Sequence, residues 1–354
     1  MLVFGTMLNK SIWLVILCLS AAVFAPQTPG QEKTPSDDVI KINTTLISIP
    51  VIVTDRQGRY VPDLKQADFG ILQDGVERQI DFFANAEELI NIAVLIDTSS
   101  STRDVLGDIK SAAKKMVKQL NADDRAMIVS FDYAPHVLCP LTADKDELEK
   151  AIKKAEIPED RGTTLRDAVD ETVRRQFGDV KGRKAIILLT DGKDHGSAIS
   201  PADLLYSLAE SDVLVYCVYF DTTGPRPDVR RELRVHGTFG DHRRGGYPGG
   251  GRSSRYPPAD RPRNTQRNER IATENEYAIS FLRKLSDVTG GRFYDSSKTK
   301  FKEAFELIVD ELRHQYRIGY YPPDEGKLPH SLRVKVMRPD VVVRARSNYK
   351  PKAQ

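Results

Sequence analysis

Tryptophan and cysteine are scarce in this 354-residue chain, which has one Trp and three Cys. A chain of this size does not need a disulfide, since its core is large enough to stabilise it. Neither sign of charge dominates, since 53 Lys and Arg stand against 50 Asp and Glu for a net +3. That balance argues against a chain built throughout for nucleic acid. Gly-x-Ser-x-Gly and His-Glu-x-x-His are absent, which removes two common hydrolase signatures. The longest apolar run, Ile12 to Ala25 after Lys10, is short for a relaxed membrane span and reads as a secretory signal peptide over residues 1–25. Cleavage after Ala22 or Ala25 would leave a small residue at the end, with Pro26 disfavouring the second site; the alternative is an uncleaved N-terminal anchor. Leu17 before Cys18 disfavours lipid attachment. Trp13 lies in the leader, so the mature chain is expected to show tyrosine fluorescence only.

What is present suits a globular protein: 40% of residues are hydrophobic, enough for a sizeable core. Cys139 and Cys217 sit in apolar strand-like stretches and read as buried thiols, with a disulfide as the alternative. After a polar linker (26–38), residues 39–88 alternate apolar with polar and break at Asp55 to Gly58 and at Asp74-Gly75. This is turn chemistry and predicts a small β module. From Ile90 apolar strands alternate with amphipathic helices, with strands predicted at Ile92 to Ile96, Ala126 to Phe131, His136 to Leu141, Ala185 to Leu189, Val213 to Phe220 and Arg292 to Tyr294. The pattern predicts an α/β domain over 89–316, a doubly wound, mainly parallel, Rossmann-like sheet covered on both faces. Ligands of such folds bind at the carboxyl ends of the strands.

Residues 221–275 interrupt that rhythm. Between Arg226 and Arg270 twelve arginines face five acids, a local excess of +7, with almost no aliphatic residues, which predicts a disordered or weakly ordered insertion. Residues 317–354 return to alternation, with turns at Pro322 to Gly326 and Pro339-Asp340, and predict a C-terminal β extension. Each flanking β segment has few strands and an open edge, so the two are expected to pair into one β-sandwich.

The first strand of the α/β domain runs into "IAVLIDTSSST", residues 92–102, where Asp97, Ser99 and Ser101 cluster. Alone, such residues are also ordinary turn and helix-cap formers. "RGTTLRDAV" places Thr163 just before a helix, and "AIILLTDGKD" places Asp191 directly after an apolar strand. All three segments therefore reach the same edge of a parallel sheet. Hydroxyls and carboxylates converging without His or Cys make an all-oxygen site for a hard cation, magnesium first, with manganese or calcium as alternatives.

On these residues the chain resembles the von Willebrand factor A domain family. Its metal-ion-dependent adhesion site uses an Asp-x-Ser-x-Ser loop, then a Thr, then an Asp. Those roles fall here on Asp97, Ser99 and Ser101, then Thr163, then Asp191, with Arg161-Gly162 standing where the family has a small-residue turn. "VTDRQGRYVPDLKQADFGILQDGVERQIDFF" and "LRHQYRIGYYPP" resemble the flanking modules of exported bacterial members. The resemblance implies hydroxyls that hold the cation, aspartates acting through water or from behind it, and an open position that accepts an acidic side chain from a protein partner. It also implies a last helix, about Lys300 to Tyr316, of the kind that shifts on ligand capture in relatives.

The expected function is thus that of an exported, non-enzymatic binding protein, periplasmic or extracellular. Two other classes remain. One is metal-independent binding of an anionic polymer or polysaccharide by the Arg-rich insertion; the other is a magnesium-dependent hydrolase, for which His195 is the nearest histidine in sequence and reads better as a solvated loop residue. No specific nucleic acid is expected, and the sequence is silent on oligomeric state. Asp97, taken to lie at a solvent-facing strand end, is expected to be removable without loss of the fold.

Overall fold

The computed structural model describes residues 46–85, 88–159, 162–222, 261–323 and 329–349, with backbone alone over 261–268. The expected leader, the linker, the start of the N-terminal β segment and residues 223–260 of the Arg-rich stretch lie outside the described residues. In chain order the elements are β1 (Ile47–Asp55), β2 (Phe69–Gln73), β3 (Val76–Arg78), β4 (Phe82–Ala84), β5 (Ile90–Asp97), α1 (Leu106–Gln119), β6 (Arg125–Phe131), β7 (Pro135–Thr142), α2 (Lys145–Lys154) and α3 (Leu165–Glu171). They continue with β8 (Arg183–Thr190), α4 (Pro201–Ala209), β9 (Val213–Tyr219), α5 (Arg261–Thr289), β10 (Phe293–Asp295), α6 (Phe301–Arg313), β11 (Tyr316–Tyr320), β12 (His330–Val336), β13 (Val341–Ala345) and β14 (Asn348–Tyr349).

The central sheet has six strands in the order β10-β9-β8-β5-β6-β7. All neighbours run parallel except β7, which pairs antiparallel at the edge. Every residue of β5 and β9 is buried, and the reason lies in period-two geometry. Ile92, Val94 and Ile96 of β5 face a layer containing α1 and α6, whereas Ala93 and Leu95 face the layer of α3, α4 and α5. A strand covered on both faces must be apolar along its whole length, as "INIAVLI" is. Local signals set the helix starts: Asp144 accepts from Asp146 N and Glu147 N ahead of α2, and Ser200 accepts from Asp203 N ahead of α4, with Pro201 opening that helix.

The flanking β segments pair with each other. One four-stranded sheet runs β13-β1-β11-β4 and the other β14-β12-β2-β3, so each mixes strands from both ends of the chain. β1 is antiparallel to both β11 and β13, and β2 to β12. Ile49, Val51, Val53, Ile71, Ile318 and Tyr320 form a shared core between the sheets. Neither segment could bury these residues alone, which is the physical reason for the interleaving.

Sandwich and α/β domain belong to one compact unit, Thr44–Gln354. The chain passes from α6 into β11 with two residues between them. The fully buried Arg183 donates to Leu312 O (2.7 Å) at the end of α6 and to Asn85 O just after β4. Glu311 of α6, 1% exposed, accepts from Tyr216 Oη (2.7 Å) and is paired with Arg292 Nε (2.8 Å) and with Arg344 of β13. Cys139 and Cys217 are free and buried, and burial pushes the Cys217 thiol up to about 12.

One sequence expectation is corrected. The insertion was expected to lack order through residue 275, but α5 begins at Arg261. Residues 263–289 contain neither Gly nor Pro and are rich in good helix formers. The helix is anchored by Ala278, Leu282 and Leu285, which pack on the sheet, and its N-terminal turns extend from that anchor.

Candidate metal centre

β5 and β8 are adjacent and parallel with Ile96 opposite Leu189, so their ends put Asp97 next to Thr190 and Asp191. The chain leaves β5 for β6 on one side and reaches β8 on the other, so this is a switch point where the connections diverge and leave a crevice.

Asp97 is fully buried, which corrects its expected solvent-facing position. Its Oδ1 accepts from Ser99 N (2.9 Å) and its Oδ2 from Thr190 Oγ1 (2.7 Å). The first bond closes a short turn that turns the chain sharply out of the strand. Thr98 points the other way and donates to Phe131 O and Asp132 Oδ2. Thr102 Oγ1 donates back to Ser99 O (2.9 Å), which tightens the turn. Ser99 Oγ and Ser101 Oγ are thereby brought to 3.0 Å of each other.

Thr163 comes from the loop before α3. Its carbonyl accepts from His195 N (3.0 Å) and Gly196 N (3.1 Å), while Thr164 N and Oγ1 donate to Asp132 O. A Cβ at Gly162 would lie 3.0 Å from Tyr133 Cα, so a larger residue here would push on the chain at Tyr133. Asp191 comes from the turn after β8, where Gly192 has φ +76° and packs against Ala278 and Leu282. Lys193 N donates to Asp191 Oδ1 (3.1 Å), and Lys193 Nζ (3.1 Å) and Thr222 Oγ1 (2.8 Å) donate to Oδ2.

A cavity of about 380 Å³ opens over this edge, lined by Ser99, Ser100, Ser101, Gly162, Thr163, Lys193 and His195. Asp97 and Asp191 lie behind that wall. A larger cavity of about 620 Å³ lies between Val173, Phe177, Ser211 and Arg346, and its charged lining includes Arg174, Lys184 and Arg346; those basic groups would repel a cation, so chemistry favours the smaller one. Burial, reinforced by the charge of Asp191, pushes the Asp97 carboxyl up to about 7 against the opposing hydrogen bonds from Ser99 and Thr190. Asp191 is ion-paired with Lys193 (3.1 Å), and a divalent cation in front of Asp97 would favour the charged form of its buried carboxyl.

The donor set fits a hard ion. The Ser99–Ser101 oxygen separation of 3.0 Å matches the cis edge of an octahedron with bonds of about 2.1 Å, which is about 3 Å. Among the described residues no three His, Cys, Asp or Glu side chains gather in a metal-binding group, so a cation here would depend on the hydroxyls. Sequence reasoning missed Thr190, Lys193 and Thr222. The first two flank Asp191 in "LLTDGKD", where a hydroxyl directly before the acid at a strand end is a readable signal. Thr222 is 31 residues beyond Asp191 and meets it only because β8 and β9 are neighbours. His195 is exposed, as a solvated loop residue would be. His136, 3.0 Å from Asp132 Oδ1, was not foreseen near this edge.

No helix among the described residues is long and apolar enough to cross a membrane. No curated protein matches the chain. Among solved structures it is similar to the conserved hypothetical protein BatB from Bacteroides thetaiotaomicron, at 18% identity over 63% of this chain and 98% of that one with a TM-score of 0.43. It is also similar to an aerotolerance-related membrane protein from Bacteroides fragilis (18% identity, 63% and 98% covered, TM-score 0.42). Proximal thread matrix protein 1 from the mussel byssus, with a zinc-occupied MIDAS motif, is similar at 15% identity over 68% of this chain and 49% of that one, TM-score 0.43. Residues 91–239 match the family model described as the von Willebrand factor type A domain, and that match together with the parallel sheet order identifies this part of the chain as a von Willebrand factor type A domain.

Proposed function

We propose that this is an exported, non-enzymatic binding protein whose von Willebrand factor type A domain holds a divalent cation, magnesium by preference, and captures an acidic side chain of a protein partner. Ser99, Ser101 and Thr163 would hold the ion directly, and Asp97 and Asp191 would neutralise it from behind. The single observation that carries the reading is the pair of serine oxygens 3.0 Å apart on a cavity wall shared with Thr163, above the buried Asp97. A bound magnesium ion supplies an electrophilic position that a carboxylate can occupy in place of water. Because the cavity wall donors are neutral, they leave that charge largely available to the partner. The lining offers the partner Lys193 and His195 at its rim and no paired nucleophile and base, which favours binding over hydrolysis.

Calorimetric titration of the full chain with magnesium and manganese tests the reading, with the Ser99→Ala, Ser101→Ala double variant beside it. Saturable binding lost in the double variant is expected; equal binding by both proteins would place the ion elsewhere. Export rests on the apolar leader, and N-terminal sequencing of the mature protein checks it: a first residue at or near Val23 or Pro26 is expected, and an intact Met1 would favour the anchor.

The +7 excess of residues 226–270 supports a second reading, in which the Arg-rich stretch binds anionic polymer without metal. Binding of that kind weakens steeply with salt and is indifferent to chelator.

A further inference from the structure

We propose that Lys193 is a built-in counter-cation of the candidate metal centre: it competes with a divalent ion for Asp191 and so sets the concentration at which the centre fills. The inference rests on the reading of the hydroxyl and aspartate cluster as a cation site, but its own observation is separate. Lys193 folds back on the acid two residues before it. Its main-chain N–H donates to Asp191 Oδ1 at 3.1 Å and its ammonium to Oδ2, also at 3.1 Å. Thr222 seats that ammonium, accepting from Nζ at 3.0 Å while donating its own proton to Asp191 Oδ2 at 2.8 Å. The carboxylate side chain is 2% exposed and the lysine side chain 21%. Asp191 therefore has both oxygens engaged, and the lysine forms part of the same cavity wall as Ser99, Ser101 and Thr163.

Electrostatics fix the direction of the effect. The ammonium attracts the buried carboxylate and repels a divalent ion, and in a partly buried site both interactions are weakly screened. A cation entering the cavity must share Asp191 with Lys193 or displace the ammonium toward water, which the flexible four-carbon stem allows. Removing the lysine charge therefore takes away a competitor of the metal and at the same time leaves Asp191 under-neutralised in the metal-free protein. These two consequences have opposite signs. A lysine that merely braced the Asp191 turn would, once removed, weaken metal binding and stability together.

The experiment compares the full chain with Lys193→Met, Lys193→Gln and Lys193→Arg, by calorimetric titration with magnesium and manganese and by thermal unfolding with chelator and with saturating magnesium. Lys193→Met and Lys193→Gln are expected to bind the metals about tenfold more tightly than wild type, and Lys193→Arg to stay within about threefold of it. In chelator the two neutral variants melt below wild type, and they gain more from magnesium than wild type does. Glutamine keeps a hydrogen-bond donor for Asp191, so the comparison survives if the methionine variant does not fold. Binding seen in a neutral variant but not in wild type also supports the inference. Wild-type binding that the neutral variants match or fall below overturns it and leaves the metal centre standing. Absence of binding in every protein overturns the metal centre and this inference with it.

Discussion

Thr190 donates its hydroxyl to Asp97 Oδ2 at 2.7 Å across two neighbouring parallel strands, and its own oxygen accepts from Gly192 N at 2.9 Å. This one hydroxyl joins the acid at the end of β5 to the turn that carries Asp191. Thr190→Val keeps the shape and removes the donor. It is expected to destabilise the protein by about 1–3 kcal/mol, the cost of a buried group left without its partner, measured by urea unfolding in chelator. Thr190→Ser should recover most of that loss; a valine variant as stable as wild type would show that the bond contributes nothing.

The raised Asp97 carboxyl predicts a pH dependence with a definite sign. Its folded value of about 7 stands above the ordinary 3.8, so between about pH 4 and 7 the folded protein holds a proton that the unfolded chain has released. Stability from this group therefore falls as pH rises through that window, by on the order of 4 kcal/mol in total, and is flat above it. In chelator the stability of wild type relative to Asp97→Asn, which does not titrate, should decline from pH 4 to 7, and magnesium should reverse the decline at pH 7.5. A difference that stays constant across the window would refute the assignment.

Glu311 predicts how far the sandwich and the α/β domain depend on each other. It is buried among Tyr216, Arg292 and Arg344, and Arg344→Met strips one charge from the group. Glu311 keeps Arg292 and Tyr216, so a loss of about 1–3 kcal/mol is expected, as for a charged group that loses one of several buried partners. For the same reason residues 89–316 alone, which lack Arg344 and the Asn85 carbonyl that Arg183 engages, should unfold at a lower temperature than the full chain. An equally stable fragment would mean the two layers fold independently.

Gly192→Ala tests the turn after β8. The position has φ +76° and a Cβ there would lie 2.9 Å from Ala278 Cβ. The left-handed backbone alone costs a side chain about 1–2 kcal/mol, and the contact with α5 adds to it. Melting temperature and magnesium affinity are both expected to fall, because the turn positions Asp191; unchanged magnesium affinity would show that the acid is held by other means.

The central sheet was legible because strands buried on both faces must be continuously apolar, and "INIAVLI", "AIILLT" and "VLVYCVY" admit little else. The three loops of the candidate metal centre were legible for a related reason: in a parallel sheet every strand delivers its C-terminal loop to one edge, so order along the chain already places Asp97 and Asp191 together. Two local readings failed. The start of α5 was hidden because composition dominated over the absence of Gly and Pro after residue 262, and Asp97 was placed at the surface because a strand end does not reveal what covers it.

By itself the sequence determined the alternation of strand and helix and the polar character of the strand-end loops, both of which depend on neighbours within a few residues. Tertiary structure decided what depends on distant ones. β1 finds β11 and β13, Glu311 finds Arg344, Thr190 finds Asp97, and Thr222 finds Asp191. Sheet register and strand order create those meetings, and no local propensity encodes a partner some thirty to three hundred residues away.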